Sequence, residues 1–94
     1  MSAGVLELPA ELTHRQARAC LQQLLARLQA EGGPTVVVNA QPLATFDSSA
    51  LAVLLECRRA AAAAGRTLAV QGMPAQLASL AGLYGVQELL PAAA

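Results

Sequence analysis

The stretch TVVVNAQPLATFDSSALAVLLE, residues 35–56, decides the fold. Its opening, Thr35 to Asn39, is a β-branched run without apolar–polar alternation. Such a strand has apolar side chains on both faces, so it belongs inside a sheet, commonly a parallel one. A polar loop, AQPLATFD, then leads into a helix expected from about Ser48 to Ala64. The five alanines at 60–64 continue that helix, since alanine has the highest helix propensity.

Working outward, the same alternation of elements repeats on both sides. Upstream, GVLEL at residues 4–8 reads as a short strand stopped by Pro9. Thr13 and Gln16 fit a capping box, and Ala17, Cys20, Leu21, Leu24, Leu25 and Leu28 follow at helical steps. Gly32 and Gly33 end that helix. Downstream, Gly65 closes the second helix, TLAVQ at 67–71 is the next strand, and PAQLASLAGLY at 74–84 is a third helix. Gly85 breaks it, VQELL makes a last turn, and Pro91 is expected to end the ordered chain. The order strand–helix repeated three times predicts one α/β domain over residues 1–94: a small mixed, largely parallel sheet with right-handed crossovers and helices packed on it.

Composition sets limits on function. The chain is 55% hydrophobic but 2% aromatic, so its core is aliphatic and rich in alanine. Six arginines balance six acids with no lysine, leaving no basic surface to displace counterions from nucleic acid. A neutral, apolar small protein is weakly protected against self-association, which suggests that it works bound to a partner and tends to self-associate alone. No secretory leader and no spanning segment are read, so neither export nor membrane insertion is expected, and the expected compartment is the cytoplasm. Cys20 and Cys57 stand alone, with no CxxC and a single histidine, so buried thiols are expected and no metal or cofactor site. Tyr84 and Met73 are expected to pack at a helix–sheet edge.

On a helical wheel, Ala50, Leu54, Cys57 and Ala61 share the face that should meet the sheet. Ser48, Ser49, Ala52, Glu56, Arg59 and Ala63 share the opposite face, with Leu55 at its margin. Three readings of Asp47-Ser48-Ser49 compete. Asp47 or Ser48 can cap the helix. A hydroxyl at a helix N-terminus can instead carry a phosphate, stabilised by free N–H groups and the dipole. A serine nucleophile would need a base, and the one histidine, His14, falls at the start of another helix, where it should be exposed. No nucleophile elbow is present either, so no enzymatic activity is expected.

Phe46-Asp47-Ser48-Ser49-Ala50-Leu51, opening a long helix after a strand and a polar loop, resembles the STAS domain family. The likeness runs from LPAEL at residues 8–12 to Pro91. Ala50 stands where that family commonly has glycine. In the family the first hydroxyl of this motif is a phosphorylation or partner-contact site, which falls on Ser48. LAVLL (51–55), TLAVQGM (67–73), LASLAGLYGV (77–86) and the closing LLP further resemble the STAS subunits of Mla-type phospholipid-transport ABC systems. That resemblance implies a non-enzymatic subunit bound to the transporter's MlaF-like ATPase and, through it, to the permease at the inner membrane, in a system serving outer-membrane lipid asymmetry. It implies a docking face of Ser48, Ser49, Ala52, Leu55 and Glu56, with Phe46 and Asp47 shaping its loop. The alternative implied by the wider family is an anti-sigma factor antagonist, switched when a serine kinase phosphorylates Ser48.

Overall fold

The Thr35–Asn39 strand lies in the middle of a sheet, as expected, with the Val36 and Val38 face buried and the Val37 face half-buried. The computed structural model describes residues 5–30 and 32–93. Strands β1 (Val5–Glu7), β3 (Thr35–Asn39) and β5 (Thr67–Gln71) form a parallel sheet in the order β1-β3-β5. Val37 of β3 pairs with Val5 on one side and Ala69 on the other. Gly4, expected in the first strand, lies outside the described residues; Leu8 follows the strand and donates its N–H to Asn39 O at 3.0 Å.

Helix α1 (Ala17–Ala30) packs against β1 and against helix α2 (Ser49–Ala63), which also covers β5 and meets α3 (Ala75–Leu83). The wheel reading of α2 holds: Ala50, Leu54, Cys57 and Ala61 are fully buried, whereas Ala52, Glu56, Arg59 and Ala63 are exposed. Val53 and Leu51 widen the buried face. These side chains join Leu6, Val36, Val38, Leu68 and Val70 of the sheet, Leu24 and Leu28 of α1, and Leu77 of α3 in one aliphatic cluster. Each fully buried leucine there contributes about 1.5–3 kcal/mol of transfer free energy.

A second, two-stranded parallel pair was hidden in stretches read as loop. Strand β2 (Glu11–Leu12) pairs with β4 (Thr45–Phe46), and the N–H groups of Ala44 and Thr45 both donate to Ala10 O. This pair fixes the segment before α1 beside the segment before α2. Gly72 serves the same end of the sheet. Its φ of +68° suits glycine, and a Cβ there would collide with the Gln41 side chain of the neighbouring loop.

Two expectations at the C-terminal end are corrected. Order does not end at Pro91. Ala92 forms a parallel bridge with Val70, whose N–H donates to Pro91 O at 2.8 Å and whose carbonyl accepts from Ala93 at 2.9 Å. The outer edge of β5 needed backbone partners, and the chain itself supplies them. Tyr84 does not pack at a sheet edge; it is 59% exposed, beside Leu83 at 78%. Gly85 turns the chain in a left-handed conformation (φ +71°), and Val86 donates its N–H to Ala81 O and packs against the core. A 3₁₀ turn, Gln87–Leu89, follows. Met73, as expected, is half-buried against the core.

Candidate functional site

The head of α2 lies at the carboxyl edge of the parallel sheet, the usual place for binding residues in such folds. Asp47 is the residue that caps it. Its Oδ1 accepts from the N–H of Ser49 at 2.8 Å, two residues on, as an N-cap carboxylate does. Ser48 has helical backbone angles (φ −63°, ψ −14°), and no side-chain cap bond comes from it. Its carbonyl accepts from Leu51 and Ala52, so it already belongs to the first turn. The choice between Asp47 and Ser48 as cap is settled in favour of Asp47, and the exposed Ser48 hydroxyl is left without a structural task.

The other carboxylate oxygen crosses to a different part of the chain. Asp47 Oδ2 accepts from the backbone N–H of His14 at 3.1 Å and lies 3.4 Å from His14 Nδ1. The N–H of Ser49, first, and the His14 backbone N–H hold the Asp47 carboxyl below the usual carboxylate range, against the opposing effect of partial burial. His14 is exposed, as expected, but it occupies the Thr13–Gln16 turn ahead of α1 and not the helix itself. The capping box in that turn is half made. Gln16 Oε1 accepts from both the N–H and the hydroxyl of Thr13 at 2.8 Å, while the N–H of Gln16 goes to the Thr13 carbonyl.

The remaining residues of the expected face divide by burial. Ser49, Leu55 and Phe46 are half-buried, with Phe46 and Leu55 resting on the core. Ala52 and Glu56 are exposed, and Glu56 lies 3.6 Å from Arg59 on the same helix. Ala50, at the family's glycine position, is fully buried inside the first turn, so a helical alanine fits and no glycine conformation is needed. The sequence did not bring His14 to this site. Only the β2–β4 pairing does so, and two-residue strands leave no periodic signal.

Both cysteines are free and buried. Burial pushes Cys57 up to about 12, with Cys20 and Glu56 nearby adding to it, and burial raises Cys20 as well, so both persist as thiols. Among the described residues there is no group of three metal-ligating side chains, and no helix is long and apolar enough to cross a membrane.

Fold and site together define a small parallel α/β domain that presents an uncommitted hydroxyl, flanked by a capping aspartate, on the first turn of its central helix. The chain belongs to the STAS domain family: the family profile described as "Mlab, STAS domain" matches residues 1–91. No curated protein matches the chain.

Proposed function

We propose that the chain is a non-enzymatic subunit of an Mla-type phospholipid-transport ABC system, docked on the cytoplasmic ATPase through the exposed face of α2. The observation that carries this reading is the division of labour at residues 47–48. Asp47 caps the helix, so the exposed Ser48 hydroxyl is free to face a partner. Ser48 heads a stripe that continues through Ala52 and Glu56, with half-buried Leu55 beside it. The Mla-type family match supports a transporter ATPase as that partner; in this reading the chain works in the cytoplasm, at the inner membrane.

The test is capture of the ATPase by Ser48→Glu, paired with a thermal melt. A carboxylate in the first turn gains about 0.3–1 kcal/mol from the helix dipole, so the fold should hold. Forced into a desolvated contact without a cation, the same charge should weaken binding at least tenfold, by roughly 1.4 kcal/mol or more. Normal capture by a folded Ser48→Glu chain would sink the assignment.

The free hydroxyl also favours a second reading, an anti-sigma factor antagonist phosphorylated on Ser48 by its serine-kinase partner. A phosphate mass shift on Ser48 after incubation with that kinase, absent from Ser48→Ala, would favour it over the transporter reading.

A further inference from the structure

The hydrogen bonds of Asp47 place a second segment beside the proposed docking stripe. With Oδ1 on Ser49 and Oδ2 on His14, this carboxylate is occupied by its own chain and joins the Thr13–Gln16 turn to the head of α2. The turn and the start of α1 carry Arg15 and Arg18, both exposed. Glu56 and Arg59 pair with each other, but among the described residues neither Arg15 nor Arg18 forms an ion pair. The first turn of α1 contains no acid. Cations at the positive end of a helix oppose its dipole, so the fold gains nothing from having them there. The acid nearest in the chain is Glu11 on β2, which forms no ion pair among the described residues either.

We infer that the docking face is composite: the Thr13–Gln16 turn and the start of α1, through Arg15 and Arg18, receive an acidic segment of the partner protein. The inference rests on the docking reading above and names the partner surface that meets it. The α2 stripe supplies the contact through Ser48 and Ala52, and the arginines supply the charge that steers and orients the encounter.

The experiment compares Arg15→Glu with Arg27→Glu, two equal charge reversals on exposed arginines. Arg27 lines the side of α1 that faces Glu7, away from α2. Binding of each variant and of Ser48→Glu to the ATPase is measured at low and moderate salt, with a thermal melt of each. Arg15→Glu should raise the dissociation constant at least about tenfold, chiefly through slower association, with the deficit shrinking as salt rises. Arg27→Glu should change it less than about twofold. The acid placed ahead of α1 favours the dipole, so Arg15→Glu should stay folded. Equal losses from both reversals would mean a net-charge effect and overturn the inference. Wild-type binding by Arg15→Glu alongside a defective Ser48→Glu would confine the face to α2, overturning the inference while sparing the docking role. Wild-type binding by Arg15→Glu and Ser48→Glu alike, or no binding by the unmodified chain, would overturn both.

Discussion

Two helix ends in this molecule are closed by a charged side chain, and they differ in what is left over. At the C-terminal end of α1, all three guanidinium nitrogens of Arg66 donate to the fold. Nη1 donates to Leu28 O at 2.7 Å, Nε to Gly33 O at 2.7 Å and Nη2 to Gly32 O at 3.1 Å. Its backbone N–H closes α2 as well, donating to Ala61 O at 2.8 Å. At the N-terminal end of α2, Asp47 alone does the equivalent work, and the next residue, Ser48, presents an exposed hydroxyl that the fold does not use. One end is consumed by structure. The other keeps a polar group in reserve, and that is where a binding role can reside without loss of stability.

The largest effect expected from this contrast is at the spent end. Arg66→Ala removes three bonds from a charged donor, one of them to the part-buried Leu28 carbonyl, and should lower unfolding free energy by about 1.5–3 kcal/mol, since such bonds are worth more than neutral ones. Arg66→Lys should recover only part of that, because one ammonium cannot span the three acceptors in fork geometry. Chemical denaturation of both variants checks this, and ATPase capture by any folded fraction should be unchanged.

At the other end the effects should split between adjacent residues. Asp47→Ala should lower the melting temperature and also disturb partner capture, because it releases both the first turn of α2 and the His14 turn. The acid limb of the stability curve gives the sign. The Asp47 carboxyl is lowered in the folded chain, so its contribution is fully present above the ordinary aspartate value of about 3.9 and is lost as pH falls through the lower folded value. Asp47→Asn should therefore flatten stability against pH in that acid window and leave the neutral range parallel to wild type. A melt series across the window checks this.

The smallest effect on stability should come from Ser48→Ala, within about 0.5 kcal/mol of wild type, as for a surface residue without a structural partner. A loss comparable to that of Asp47→Ala would mean that Ser48 shares the cap after all, and the contrast between the two ends would fail.

The same contrast explains what could be read from the sequence. The central strand, the buried face of α2 and the C-terminal ends of all three helices were legible because β-branched runs, helical spacing and glycine stops are local signals. The Thr13 capping box instead announced α1 four residues before its start at Ala17. The pairs Glu11–Leu12 with Thr45–Phe46, and Ala92 with Val70, were not, because so few residues show no periodicity and their partners are distant in the chain. Asp47 and Ser48 were readable as a helix start, but which of them caps it depends on a single backbone turn. The contact of Asp47 with His14 followed only from the β2–β4 pairing. Composition suggested self-association, and the helical wheel put Leu55 at the margin of the exposed face. Among the described residues the most exposed large apolar side chains are Leu83 and Tyr84, beside the Gly85 turn.

The central claim is that the exposed face of α2 meets the ATPase. A photo-crosslinking residue placed at Ala52, on that face, tests it most directly against the same residue at Ala26, exposed on the β1 side of α1. Position 52 should yield a covalent adduct with the ATPase and position 26 should not. Crosslinking from position 26 with none from position 52 would contradict the account.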